Sequence, residues 1–266
     1  MKIAIGWLYP TLMSTYGDRG NVICLQRRCQ WRGIEVEIVP LKRETEIAEL
    51  ERVDLIVGGG AQDRQQELVM RDLQGAKAET IGQMLEQGTP GVFTCGSPQL
   101  LGHYYEPALG KRIEGLGLLD MVSRHPGIEA RRCIGNLVFE ITAEPLASEL
   151  EAMLGEKLVI GFENHGGRTY LQNVQPLGKV IKGYGNNGED GTAGAFYQNA
   201  IATYSHGPLL PKNPFLADWL IKKALQNKYQ QEIDLTPLDD SLAVAGRKAM
   251  LQRLGLSNLK VAVRST

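Results

Sequence analysis

The first hundred residues alternate between short apolar runs and stretches of helical period. Lys2–Leu8 is an apolar run, and 19–32 follows with Val22, Ile23, Leu25 and Trp31 at roughly helical spacing until Gly33 ends it. Residues 34–39 alternate as a strand, 44–51 read as a short helix, and 53–57 form a buried strand that runs into Gly58-Gly59-Gly60. Helices are predicted over 61–73 and 76–86, a further strand over 91–94 that ends at Cys95, and a helical segment over 98–104. Strands alternating with helices in this way predict an α/β fold, with a mostly parallel sheet covered by helices on both faces.

After about residue 115 the pattern shortens and favours β-formers. Strands are expected at 118–123, 136–142, 158–163, 179–182, 193–197 and 200–204, partly antiparallel. Residues 213–228 read as a helix with Leu216, Trp219, Leu220 and Ala224 on one stripe, and 239–254 as another. The chain therefore divides into a main domain over 1–228 and a C-terminal helical tail over 229–266. That tail either packs on the domain or offers a surface to a partner.

Charge then narrows the function classes. Among 266 residues, 29 are basic and 30 acidic, a formal net charge of −1, with no clustered excess of Lys or Arg. Binding nucleic acid by phosphate neutralisation is excluded on that ground. A 43% hydrophobic content supplies a full core. No apolar stretch approaches the roughly 20 residues of a membrane helix, and the start of the chain lacks an apolar leader, so a cytoplasmic location is expected. The four cysteines, at 24, 29, 95 and 133, have neither the pairing of a metal site nor the density of a disulfide scaffold. Reduced thiols and no bound metal are expected.

Glycine is abundant, 31 residues, and its clusters mark where chemistry could sit. Gly91-Val92-Phe93-Thr94-Cys95-Gly96-Ser97-Pro98-Gln99 places a cysteine between a buried strand and a helix start. A thiol on such an elbow stands above the sheet edge, where backbone N–H groups and the helix dipole favour its thiolate. The N–H of Gly96 can help to hold an oxyanion. Cys24, Cys29 and Cys133 read instead as buried small hydrophobes. Gly58-Gly59-Gly60 ends an earlier strand and falls on the same edge, so Gly59 and Gly60 are candidates for the other half of an oxyanion hole. The loop has neither a Walker lysine nor a complete dinucleotide fingerprint. A base for Cys95 has to be one of four histidines. His103 and His125 read as surface residues, whereas His165 and His206 both follow apolar strands, and their spacing alone does not separate them.

Taken together, the triple glycine, the elbow Thr94-Cys95-Gly96-Ser97-Pro98-Gln99 and the distant His206 resemble the class I (triad) glutamine amidotransferases, in particular the cobyric-acid-synthase-like branch. Tyr16-Gly17-Asp18-Arg19-Gly20-Asn21, Gly58 through Arg64, Glu114 through Asp120, Gly161 through Tyr170, Gly183 through Asn187 and His206 through Pro214 sharpen the match. Within that branch these segments are similar to the glutaminase subunits of lipid II isoglutaminyl synthases, over about residues 1–228.

The resemblance implies a flavodoxin-like three-layer sandwich and hydrolysis of L-glutamine through a glutamyl thioester, with Cys95 as nucleophile and His206 as general base. It implies no cofactor. Arg132 fits the family's glutamine-binding arginine, with Arg131 a near rival, and Gln99 is a further substrate-binding candidate. A guanidinium grips a carboxylate bidentately. The implied partner is a MurT-like ATP-dependent Mur ligase subunit, which uses the ammonia to amidate the D-glutamate of the lipid II stem peptide. Glutaminase action for a cobalamin-type amidation and an inactive amidotransferase-like binding module are the alternatives. Two positions depart from the family. Many triad enzymes carry a carboxylate two residues after the histidine, where this chain has Pro208. The orienting acid is then expected elsewhere in the chain or, preferably, from the partner. Ser97 stands where glycine is expected.

Overall fold

A computed structural model of the chain describes residues 1–262. Strands β1 (Lys2–Leu8), β2 (Glu35–Leu41), β3 (Leu55–Gly58) and β4 (Gly91–Thr94) alternate with helices α1 (Arg19–Gln30), α2 (Ile47–Glu51), α3 (Asp63–Met70), α4 (Ala76–Glu86) and α5 (Gly96–Leu101). They build a six-stranded sheet in the order Ala195–Tyr197, Ala200–Thr203, β4, β3, β1, β2. All neighbours are parallel except the edge strand Ala195–Tyr197. Side chains alternate between faces along each strand, which sorts the sheet's residues into two cores. Ile3, Ile5, Leu55, Val57 and Val92 join the first. Ala4, Ile56 and Phe93 join the second. The predicted stripe of helix Pro214–Tyr229, from Leu216 to Ala224, packs into the first core with Val22 and Leu25 of α1.

The β-rich second half forms two further sheets. One is antiparallel, in the order Thr192–Ala193, Gly178–Lys182, Cys133–Ile141, Leu158–His165, Ser205–His206. The other joins Arg168–Leu171, Met121–Arg124, Tyr104–Glu106 and Ile113–Glu114. Three departures from the sequence pattern stand out. The segment 98–104 is helical only to Leu101, because Gly102 is extended and packs so closely on Met121 that a Cβ would lie 2.7 Å from the Met121 carbonyl oxygen. Tyr104 therefore opens a strand. Helix Leu146–Leu154 and the short strands Ile113–Glu114 and Arg168–Leu171 are absent from the sequence pattern. One crossing positions the site: Ala200–Thr203 lies in the main sheet beside β4, whereas Ser205–His206, just beyond it, pairs with Leu158–His165 in the antiparallel sheet.

The expected tail contains helix Ser241–Arg253, and 263–266 lie outside the described residues. Leu251 of that helix packs with Val138 and Ile160. Arg28 of α1 clamps the tail, bonding Asp218 Oδ1 and Asp240 Oδ1 at 2.6 Å each, while Arg32 reaches Asp218 and the Thr236 carbonyl oxygen.

Candidate active site

Cys95 sits at the C-terminal end of β4 with φ +56° and ψ −99°. A non-glycine residue in that region carries strain of about 1–3 kcal/mol and persists only where its surroundings impose it. Here its N–H donates to the Thr203 carbonyl oxygen at 2.9 Å, and all six residues of α5 behind it are buried. The bond to Thr203 ties the elbow to the strand that delivers His206. A Cβ placed on Gly60 would lie 3.1 Å from both Cys95 Cβ and His206 Cε1, so only glycine leaves room for the three to meet. His206 is fully buried and Cys95 nearly so.

His206, the candidate base, is oriented from within the chain. Asp18 Oδ1 lies 3.1 Å from His206 Nδ1, and Asp18 Oδ2 accepts the Gly60 N–H at 2.6 Å. This corrects the expectation that a partner supplies the carboxylate in place of position 208. The Tyr16–Asn21 motif held the signal, but nothing in its pattern says that it folds back over a histidine 188 residues away. Tyr16 lies edge-on to the imidazole at 5.2 Å between ring centroids. Nδ1 is thereby engaged, and Nε2, buried and without a hydrogen-bond partner, is the ring atom left for the Cys95 thiol. Burial opposes a charge on His206, but the Cys95 sulfur and the Asp18 carboxylate outweigh it and push the imidazole up to about 10.

Of the three glycines expected to line an oxyanion hole, Gly60 does other work. The Gly60 amide is spent on Asp18, which corrects its assignment as a donor to substrate. Gly59 is a packing glycine: a Cβ there would meet the Met13 carbonyl oxygen at 2.3 Å. Its own carbonyl oxygen accepts the Ser97 hydroxyl at 2.5 Å, which explains serine at a position where glycine is expected. Gly96 begins α5 beside Cys95, and the Ala61 nitrogen lies 2.8 Å from where a Cβ on Gly96 would stand. The Ala61 N–H has no acceptor among the described residues.

The two substrate-binding candidates fare differently. Gln99, one helical turn past Cys95, is buried; its Oε1 accepts from Gln66 at 2.8 Å and its Nε2 donates to Tyr204 at 3.0 Å. This is a correction: its amide braces the wall of the site and does not reach into it. Arg132 is exposed, held by Asn164 through Nε at 3.0 Å and Nη2 at 3.1 Å, and its Nη1 lies against Gly166. The neighbouring Gly167 packs on Gln99, Tyr105 and Tyr204. The guanidinium thus lies beside Gly166, whose neighbour Gly167 packs on Gln99 of the helix that follows Cys95. His165 lies in that wall, stacked on Tyr204 at 3.8 Å, with Nδ1 on the Gly167 carbonyl oxygen and Nε2 on Glu163. Among the described residues no cluster of His, Cys, Asp or Glu fits a metal ion, and no helix is long and apolar enough to cross a membrane.

Known proteins are similar to this chain in sequence and fold. Residues 4–214 match the CobB/CobQ-like glutamine amidotransferase domain. Subunit GatD of the glutamine-hydrolysing lipid II isoglutaminyl synthase of Staphylococcus aureus strain N315 is 35% identical over 243 residues, 91% of each chain. The corresponding subunit of Streptococcus pneumoniae strain R6 is 37% identical over 243 residues, 91% of this chain and 88% of that one. In fold, the chain is similar to the structure of PurLQS from Thermotoga maritima, with a TM-score of 0.54 over 87% of this chain and 100% of that one at 17% identity.

Proposed function

The chain belongs to the CobB/CobQ-like glutamine amidotransferase family, and from that premise we propose that it is the glutaminase subunit of a lipid II isoglutaminyl synthase. The observation that carries the reading is the meeting of Cys95, His206 and Asp18 at one sheet edge, with His206 Nε2 left open. The Cys95 sulfur attacks the side-chain amide carbon of L-glutamine, and the carbonyl electron pair moves to oxygen, where the Gly96 and Ala61 N–H groups support it. His206 Nε2 gives its proton to the leaving nitrogen, and ammonia departs as the thioester forms. The same nitrogen then deprotonates water; hydroxide attack and loss of the thiolate release glutamate. Asp18 touches no reacting atom: it fixes the ring through Nδ1 and favours the imidazolium that donates the proton.

The ammonia passes to a MurT-like, ATP-dependent ligase subunit, which amidates the α-carboxylate of the D-glutamate in the lipid II stem peptide to D-isoglutamine, in the cytoplasm. The names of the two relatives support this assignment. The test uses the complex of both subunits. Cys95→Ala is expected to lower glutamate release and glutamine-driven amidation by roughly 10³-fold or more, while amidation from added ammonium salt persists. Undiminished glutamate release by that variant overturns the reading.

A further inference from the structure

The glutamine side of the site has a candidate cation, Arg132, for the substrate's α-carboxylate, yet the side chain expected beside it, Gln99, is spent on Gln66 and Tyr204. The substrate's α-ammonium then needs an anion that the reaction scheme does not use. Glu163 of the site's wall is committed to His165 and to the Tyr184 and Gly185 N–H groups, which leaves Asp63. Asp63, the first residue of α3, follows directly on the glycine loop and is half-buried. Its Oδ1 accepts the Tyr105 hydroxyl at 3.2 Å. Tyr105 in turn packs on Gly167, within 3.2 Å of where a Cβ there would stand, and a Cβ on Gly166 would lie 3.1 Å from Arg132 Nη1. The chain Asp63, Tyr105, Gly167, Gly166, Arg132 thus lines one continuous wall with an anion at one end and a cation at the other. Neither has an ion-pair partner among the described residues. The His125 imidazole, packed against Gly166, senses Asp63 as well as Arg168 and Arg132, and the Tyr105 hydroxyl is influenced by both Asp63 and Cys95.

Asp63, in the first turn of α3, sets an acidic side chain beside the wall that carries Gln99 and Tyr105. Resting on the glutaminase reading, we infer that Asp63 is the specificity residue that receives the α-ammonium of glutamine, opposite Arg132, so that the wall reads the zwitterion of a free amino acid. The consequence is discrimination: L-glutamine enters, whereas a primary amide lacking the α-amino group, such as glutaramate, leaves Asp63 without its counter-charge. Glycine loops and packing alone give no such preference.

The test measures binding as well as turnover, in the complex of both subunits. In the Cys95→Ala background, calorimetric titration with L-glutamine and with glutaramate is expected to show glutamine bound at least about tenfold more tightly, the value of one charged hydrogen bond. Adding Asp63→Asn should bring the two ligands to within about twofold of each other, and Asp63→Glu, which restores the charge, should recover part of the preference. A preference for glutamine that survives Asp63→Asn overturns the inference. Because the readout is binding, an Asp63-dependent preference without any turnover in the wild-type complex would remove the glutaminase reading and leave the recognition role standing.

Discussion

His206 and His165 are both buried, both follow apolar strands, and they lie in adjacent strands of the same antiparallel sheet, yet their surroundings differ in one respect. Both ring nitrogens of His165 have a partner. Its two ring nitrogens meet the Gly167 carbonyl oxygen at 2.7 Å and Glu163 at 3.2 Å, and Glu163 also accepts the N–H groups of Tyr184 and Gly185. Around His206 the network stops one bond short, at Nε2. Folded proteins rarely leave a buried polar atom unpaired, because the desolvation is not repaid. The lesson is that a closed network marks a histidine that builds the wall, and an open one marks a histidine held for a group that has yet to arrive.

Three substitutions sharpen or break that contrast. The largest effect is expected for His206→Ala, about 10³–10⁴-fold in kcat/KM for glutamine; steady-state assays of glutamate release measure it. Asp18→Asn should cost about 10²-fold or more through loss of ring orientation. Its pH profile supplies the sign. The Cys95 sulfur and the Asp18 carboxylate hold the His206 proton up to about 10, and the leaving ammonia needs that proton, so the wild-type alkaline limb lies near there. Removing the Asp18 charge lowers the pKa and moves that limb to lower pH. A profile that stays in place would separate Asp18 from the base. The smallest effect on turnover is expected for His165→Phe, less than about tenfold in kcat/KM, because the ring can still stack on Tyr204. It should instead lower stability by about 1–3 kcal/mol in urea titration, since Glu163 and the Gly167 carbonyl oxygen lose their partner in a buried setting. If His165→Phe abolished turnover while leaving stability intact, the contrast between the two histidines would be wrong.

The parallel half of the fold is legible in the sequence because its strands are continuous apolar runs punctuated by glycine. β1, β3 and β4 emerge at or near their observed positions, and with them Cys95 at a strand end. The later segments are harder. Ile113–Glu114 and Arg168–Leu171 are two and four residues long, too short for a period to register, and their pairing is set by tertiary contact. Residue types at the site were legible, but their commitments were not. The glycine loop announces donors without saying that Gly60 serves Asp18, and Gln99 announces an amide without saying that Gln66 and Tyr204 consume it. A contact as remote in sequence as that between Asp18 and His206 exists only once the loop before α1 has folded against the sheet edge.

The passage of the chain from the Ala200–Thr203 strand into the Ser205–His206 strand makes the Cys95–His206 pair a gauge of how two layers sit on each other. Cys95 rides on the parallel sheet and His206 on the antiparallel one. Their separation is therefore a property of the whole interlayer seam, filled by buried apolar residues such as Leu137, Phe139, Val159 and Ile201. Dense interiors transmit small displacements, and a shift of about 1 Å between reacting groups can cost about 10²-fold in rate. A volume change deep in that seam thus registers first as a loss of speed, before it registers as a loss of fold.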